Sequence, residues 1–243
     1  MKNLKVSSKL MAGFSGLLIM AIIVGSVGVI SSVMFRDKVK KLHKLNEEHQ
    51  GIVGVTESHY IWRHNLVMAV STESEFAGST DPDGCALGKW LAGDVAKGIE
   101  DSEVLRILSN AKVPHEFIHK ESAIVVEHMN NGDFETARQV VYDTILPKTQ
   151  DVINFLSSSQ ERVAILVDEL DDEIAQLSKT MSVVIPIILG VAVLVAVLLS
   201  RYISGMISKP ISLTADFFRQ ASTTGEITCS AEVDAMFGRF KQN

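Results

Sequence analysis

The chain has 243 residues, of which 47% are hydrophobic and 21% charged, and its formal net charge is −6. This acidic balance, with no basic stripe interleaved with aromatic residues, argues against a nucleic-acid partner. The apolar residues are concentrated, because no charged residue occurs in residues 10 to 35 or 180 to 200. Each segment has the roughly 20 apolar residues that a helix needs to cross a bilayer. The sequence therefore predicts two transmembrane helices.

Residues 36 to 179 lie between the two apolar segments and are enough for one ordinary domain. Acidic residues precede the second segment, whereas Arg201 and Lys209 follow it, which favours a cytoplasmic C-terminus under the positive-inside rule. We therefore expect both termini in the cytoplasm, residues 1 to 9 included, although the basic residues that follow the first segment do not support this orientation. The first segment also fits a signal peptide, but it exceeds the usual length of the apolar region in such peptides.

Apolar residues continue after the first segment at steps of three and four, which is typical of one helical face. This stripe consists of Leu42, Leu45, His49, Ile52, Val55, His59, Trp62 and Leu66. It predicts that the first helix continues into the domain with His59 facing inward. The turn-rich residues 78 to 84 then break the pattern. A short helix with Trp90 and Leu91 should follow and end near Gly98.

A third helix is predicted to begin at Asp101 and Ser102, which are suitable capping residues. Its inner face would carry Val104, Leu108, Ala111, His115, Ile118, Ser122, Val125 and Met129. Proline is poorly tolerated inside a helix, so Pro114 predicts a kink or a restart immediately before His115. Residues 130 to 133 should form the turn that ends this helix.

The last helix is predicted to run from Asp133 toward the second apolar segment, with a bend at Pro147. Its later part has a seam that suits either a helical bundle or a dimeric stalk. The seam consists of Val163, Val167, Leu170, Ile174, Leu177 and Met181. No segment alternates as a strand does. The predicted fold is all-α: an antiparallel four-helix bundle between two transmembrane helices.

Four side chains of the central region form a candidate metal site: His59, Cys85, His115 and His119. His115 and His119 are four residues apart, so a helix presents both rings on one face. Three imidazoles and one thiolate are a ligand set that tetrahedral zinc prefers. The predicted topology separates Cys85 from Cys229 and excludes a disulfide, which favours metal binding by the lone thiol. The remaining histidines are predicted not to be ligands: His43, His49, His64 and His128.

Residues 115 to 119 also match the H-E-x-x-H pattern of zinc metalloproteases. In such an enzyme Glu116 would be the general base, and a water molecule would occupy an open position on the zinc. The longer metzincin pattern fails, because Ser122 and Val125 stand where glycine and histidine are needed. Four protein ligands also leave zinc without an open position. The sequence therefore favours a protein that is not an enzyme.

The motif around these residues resembles the chemoreceptor zinc-binding domain. It comprises His59 with Trp62, then Cys85, Leu87, Gly88 and Trp90, then Pro114, His115 and His119. The resemblance covers roughly residues 57 to 130. It implies a four-helix bundle that binds zinc through three histidines and one cysteine, as in domains that accompany bacterial chemoreceptors and diguanylate cyclases.

The flanking segments resemble the transmembrane sensor part of methyl-accepting chemotaxis proteins. Residues 207 to 211 are similar to the start of a HAMP domain, residues 224 to 227 to its connector, and residues 232 to 237 to the start of its second helix. Residues 201 to 243 would thus form a partial HAMP-like domain. The resemblance implies a bacterial inner-membrane homodimer with residues 36 to 179 in the periplasm, and a signalling output supplied by another protein or by a missing C-terminal domain.

The function expected from these features is a receptor that detects zinc or an oxidant and signals through the second transmembrane helix. Two alternatives remain open on the sequence alone. In one, zinc only stabilises the bundle and a small organic ligand binds elsewhere between the helices. In the other, the protein is a membrane-anchored zinc hydrolase that uses Glu116.

Overall fold

The computed structural model describes residues 6 to 224, which are almost entirely helical and contain no strand. The helices are α1 (Val6–Thr72), α2 (Ala86–Ala92), α3 (Asp94–Lys97), α4 (Ser102–Asn130), α5 (Phe134–Val140) and α6 (Leu146–Thr224). A π-helical turn, Val141–Ile145, joins α5 to α6. The predicted all-α fold class is confirmed. Residues 225 to 243 of the HAMP-like segment, Cys229 among them, lie outside the described residues.

The chain forms two compact units. The terminal unit comprises the described residues 6 to 35 and 177 to 224, and the central unit comprises residues 36 to 176. All four candidate metal ligands belong to the central unit.

The terminal unit exposes large apolar side chains along both of its helical segments. Among them are Phe14, Leu18 and Ile22 of α1 and Val193, Leu194 and Leu198 of α6. The most apolar stretches of the two long helices have mean hydropathies of 2.5 and 3.0, with only 6% and 0% of their residues buried. By length and composition, both helices are able to cross a membrane.

The core of the central unit draws on α1, α2, α4, the π-helical turn and α6. Its largest fully buried apolar side chains include Ile52, Leu66, Leu87, Ile118, Ile145, Ile153 and Leu156. The predicted inner faces are largely confirmed: every residue expected to line α4 is buried, and on α1 only Leu42 and His49 remain half-buried. The three-and-four spacing was informative here because a helix repeats its face with the same period.

The seam of α6 faces the core of its own chain within the central unit. Val163 and Leu170 are buried, and Val167 and Ile174 pack against the same core. The sequence allowed two roles for this seam, in a helical bundle or in a dimeric stalk. Helical packing within one chain accounts for its buried side chains.

Helix α4 begins with the predicted cap. The Asp101 carboxylate accepts hydrogen bonds from the backbone N–H groups of Glu103 and Val104, at 3.1 and 2.9 Å. Arg162 of α6 donates to the same carboxylate at 2.8 Å. These donors, the guanidinium first among them, hold the pKa of Asp101 below its usual range. One side chain therefore both starts α4 and ties it to α6.

Pro114 does not interrupt α4, and the predicted restart before His115 is wrong. The helix continues from Ser102 to Asn130 with Pro114 inside it. A proline removes one backbone hydrogen bond and crowds the preceding turn. Residues on the same face before and after it, Ala111, His115 and Ile118, are all buried. The core therefore contacts α4 on both sides of Pro114.

A π-helical turn lies just before Pro147, the residue at which the sequence predicted a bend. The backbone N–H of Leu146 donates to the carbonyl of Val141, five residues earlier rather than four. The wider turn relieves the crowding that the Pro147 ring causes against the preceding turn. Val141 and Ile145, at the two ends of the turn, are fully buried, so the local geometry is fixed by packing.

Replacing Asp101 should destabilise the central unit in a graded way. Asp101→Ala removes both the cap and the contact with Arg162 and should cost about 1 to 2 kcal/mol. Asp101→Asn keeps a capping oxygen and should cost less. Denaturant unfolding followed by tryptophan fluorescence measures this, because both tryptophans, Trp62 and Trp90, lie in the central unit. Equal losses in the two variants would show that the cap contributes nothing.

Candidate metal centre

The structure brings together all four residues that the sequence singled out. His59 comes from α1, Cys85 is the residue that caps α2, and His115 and His119 lie one turn apart on α4. One ligand atom from each can be chosen so that all four lie within 4.8 Å of one another, and all four residues are buried. Among the described residues, this group has the composition and spacing to hold a metal ion.

Two of the histidines are oriented by backbone carbonyl groups. The Nδ1 atom of His59 lies 2.9 Å from the Val55 oxygen, and that of His119 lies 3.0 Å from the Ser79 oxygen. A carbonyl oxygen only accepts, so Nδ1 carries the proton in both rings and Nε2 keeps its lone pair. Both Nε2 atoms are buried and have no hydrogen-bond partner. Leaving buried acceptors unpaired costs free energy that a bound metal ion would recover.

Cys85 and His115 complete the group. The Cys85 Sγ atom lies 3.1 Å from Nε2 of His115 and 3.2 Å from the Pro82 carbonyl oxygen, and it accepts the Gly88 N–H at 3.3 Å. Burial raises the pKa of the Cys85 thiol, so the metal-free sulfur keeps its proton at neutral pH. A metal ion would displace that proton and bind the thiolate.

The histidines are neutral and therefore ready to act as ligands at pH 7. Burial lowers the pKa of His115 to about 3, with the neighbouring His119 and His59 adding to the effect. Burial likewise lowers the pKa of His119 to about 4 and shifts that of His59 downward. A metal binds the neutral imidazole, so these environments remove proton competition at physiological pH.

The glycine of the Cys-x-Leu-Gly segment has a steric role. A Cβ atom at Gly88 would lie 2.1 Å from the Pro82 carbonyl oxygen and 2.7 Å from the Asp83 Cα atom. Only glycine lets the preceding loop approach α2 this closely. Leu87 is fully buried and fixes the short helix on the core. Leu87 and Gly88 thus set the position of the Cys85 thiol.

Trp62 supports the site through Ser79. The indole Nε1–H donates to the Ser79 carbonyl at 2.8 Å, the same oxygen that orients His119, and the Trp62 ring lies 4.9 Å from the His119 ring. Trp90 instead packs over Gly51 of α1, where an added Cβ would meet its Nε1 atom at 2.2 Å. Of the two tryptophans, Trp62 is the one whose ring packs against a candidate ligand.

Sequence reasoning missed the carbonyl groups that orient the rings. Val55 could have been found, since it precedes His59 by one helical turn. Ser79 and Pro82 lie in the turn-rich segment, where no periodicity indicates which oxygen faces inward.

A cavity of about 220 Å³ borders the centre, lined by Ser58, Trp62, Ser79, Ala86 and the ligands His59 and Cys85, among others. The sulfur and one imidazole can thus be reached from this side. Such an opening provides the access route that a metal ion or a small reagent needs.

Glu116, the general base of the hydrolase alternative, lies away from the candidate ligands. Its side chain is exposed and lies 3.8 Å from Lys112 in an ion pair on the outer face of α4. The other histidines also lie outside the group: His43 faces Glu47, His128 faces Asp133, His64 is exposed and His49 is half-buried.

Comparison with known proteins gives no match: no family model, no curated protein and no solved structure is similar to this chain. The motif residues and the geometry of the candidate metal centre are therefore what indicate its function.

Gly88→Ala should reduce metal binding although no ligand is changed. The added methyl group would push away the loop at Pro82 and Asp83 and displace the Cys85 sulfur. Gly54→Ala on α1 is the matched control, because a Cβ atom there meets nothing within 4 Å. Elemental analysis of the purified full-length protein should show a lower metal content in Gly88→Ala only. An unchanged content in both would contradict the steric role of Gly88.

Proposed function

We propose that this protein is a transmembrane receptor whose central unit binds one zinc ion through His59, Cys85, His115 and His119. The observation that carries the proposal is the buried group of four ligand atoms, in which two Nε2 atoms have no other partner. A buried cluster of this kind is costly without an ion and favourable with one.

Zinc is the metal that this ligand set suits best. Its bonds to imidazole nitrogen and thiolate sulfur are about 2.0 to 2.3 Å, which places tetrahedral ligand atoms about 3.5 Å apart. The separations here reach 4.8 Å at most, and the Cys85–His115 pair is already at 3.1 Å. Small side-chain rotations would therefore complete the coordination. When bound, zinc would supply a cross-link between α1, the start of α2 and α4.

We propose that the central unit is an antiparallel four-helix bundle of the chemoreceptor zinc-binding type. Its long members would be the central parts of α1, α4 and α6, and α2 with α3 would form the short one. The shared core supports this arrangement, since Leu87 of α2 is buried with residues of all three long helices.

The two apolar helical segments would anchor the receptor in a bacterial inner membrane. Their exposed apolar side chains would destabilise the protein in water but suit the lipid interior. In the proposed topology both termini are cytoplasmic and the central unit is periplasmic. The receptor would act as a homodimer, and signalling would pass through the HAMP-like tail to another protein or to a further domain.

A change at the metal centre would act on helices that also carry the apolar segments. Helix α1 contains both His59 and residues 10 to 35 without interruption. Loss of the Cys85 bond, through oxidation or through removal of zinc, would free α2 from α1 and α4. The stimulus in this proposal is zinc or an oxidant, and a role limited to stabilising the bundle is the alternative. The hydrolase alternative lacks support because Glu116 points away from the ligands.

The metal content of the full-length protein tests the proposal. We expect one zinc ion per chain, and a loss of most of it when any of the four ligands is changed to Ala. His64→Ala and His128→Ala are the controls and should keep the ion, since neither residue belongs to the group. Full zinc occupancy in both His115→Ala and His119→Ala would refute the site.

Cysteine labelling in intact cells tests the topology. In a Cys85→Ala, Cys229→Ser background, a membrane-impermeant thiol reagent should label Ser109→Cys, at an exposed position of the central unit. It should spare Ser8→Cys until the cells are lysed, because the N-terminus would be cytoplasmic. The opposite labelling pattern would invert the orientation, and labelling of both variants in intact cells would contradict it.

A further inference from the structure

The central unit has a second concave site that takes no part in the metal centre. It is a groove of about 530 Å³ between the 40–48 segment of α1, the loop that precedes α4, and the 166–173 segment of α6. Leu45, Leu166 and Leu170 supply apolar surface, and charged side chains supply the rest. This volume falls in the range of clefts that bind small organic molecules.

Most acidic groups along the groove are already paired. Glu100 pairs with Lys44, Glu173 pairs with Lys38, and Asp101 pairs with Arg162. Each of these carboxylates therefore has a cation of its own chain and does not need one from a ligand.

Glu48 and Glu169 also line the groove, and neither forms an ion pair with a described residue. Glu169 is exposed to solvent, whereas Glu48 is only 3% exposed and forms no hydrogen bond with any described residue. Burial raises the pKa of the Glu48 carboxyl, Lys44 opposes that shift, and the charges of Glu100 and Asp101 reinforce it. A buried carboxylate without a partner is costly. A cation delivered by a ligand would remove that cost.

We propose that the groove binds a small organic amine, with its ammonium group on the Glu48 carboxylate and its hydrocarbon part against Leu45, Leu166 and Leu170. An ammonium group donates up to three hydrogen bonds and matches a single carboxylate, and charge-assisted bonds of this kind are strong. A calcium or magnesium ion fits less well, because such ions need six or more oxygen ligands, three of the other four carboxylates are paired with cations, and the fourth, Glu169, is exposed to solvent.

Lys40 and Lys41 also line the groove but do not oppose this assignment. Both are exposed, so solvent weakens their charges, whereas the field of Glu48 acts in a buried setting. The inference does not depend on zinc or on the receptor function, because the groove and the metal centre share no residue.

The test compares three probes of one chain length on the full-length protein in lipid nanodiscs. The probes are pentylamine, 1-pentanol and pentanoate, in phosphate buffer free of Tris and other amines. The readout is the midpoint of thermal unfolding, followed by tryptophan fluorescence. Pentylamine should raise the midpoint in a saturable manner, since a ligand of the folded state stabilises it. The alcohol and the acid should not, and the alcohol also controls for effects on the lipid.

Two variants locate the effect. Glu48→Gln keeps the side-chain shape but removes the charge, and it should weaken the apparent affinity for pentylamine at least about tenfold. Leu166→Trp should have the same effect by filling the groove while Glu48 remains. Glu47→Gln is the matched control, since Glu47 is exposed, faces His43 and does not line the groove. It should respond as the unaltered protein does. The cooperativity and the midpoint of thermal unfolding of each variant without a probe report whether the central unit still folds.

Equal stabilisation by pentylamine and 1-pentanol would overturn the inference, as would an undiminished response in both Glu48→Gln and Leu166→Trp. Stabilisation by Ca²⁺ or Mg²⁺ that Glu48→Gln abolishes, without any response to pentylamine, would assign the groove to a metal cation instead. These outcomes are independent of the zinc measurement, so failure of one proposal is distinguishable from failure of the other.

Discussion

The burial of unpaired imidazole nitrogen atoms from two different helices is the constraint on which the central unit depends. Nε2 of His59 on α1 and Nε2 of His119 on α4 are both buried without a hydrogen bond. In an apolar core each such atom destabilises the fold. A common partner would satisfy both nitrogen atoms, and together with the Cys85 sulfur and His115 they form a group that could hold a metal ion.

The residues around the four candidate ligands orient them. Val55 and Ser79 accept the Nδ1 protons and so leave the Nε2 lone pairs available. Trp62 fixes the Ser79 carbonyl, and Gly88 allows the loop with Pro82 to approach the sulfur. Partners of this kind set the orientation and the basicity of metal ligands. Each defined residue of the Cys-x-Leu-Gly segment thus has a role: Cys85 is the candidate ligand, Leu87 is buried in the core, and Gly88 allows the close approach of the loop.

The central unit contains two sites with buried polar groups, and their chemistry differs. At the candidate metal centre, neutral imidazoles and one thiol share a site where burial has the largest effect on the pKa values and the charges of Asp81 and Lys89 act more weakly. In the groove, Glu48 is a buried acid, and three of the four other carboxylates have their own cations. Both sites depend on α1, one helical face of which carries Leu45, Ile52 and His59. A ligand at either site would therefore act on the same helix.

The sequence by itself determined the helical class, the inner faces of α1 and α4, the cap at Asp101 and the four members of the metal group. These features follow from local rules: helical periodicity, capping chemistry, and the i, i+4 spacing of His115 and His119. The apolar segments likewise follow from composition alone. Each of these signals lies within one stretch of chain, except the grouping of His59 and Cys85 with the His115 and His119 pair, which combined three separate stretches.

Only the tertiary structure decided the features that depend on contacts between distant segments. Packing on both sides of Pro114 kept α4 continuous, against the local preference of proline. The carbonyls of Ser79 and Pro82, the exposed position of Glu116 and the burial of Glu48 likewise depend on which helix faces which. Side chains far apart in the sequence become neighbours only when the core forms, because packing and desolvation are properties of the assembled fold.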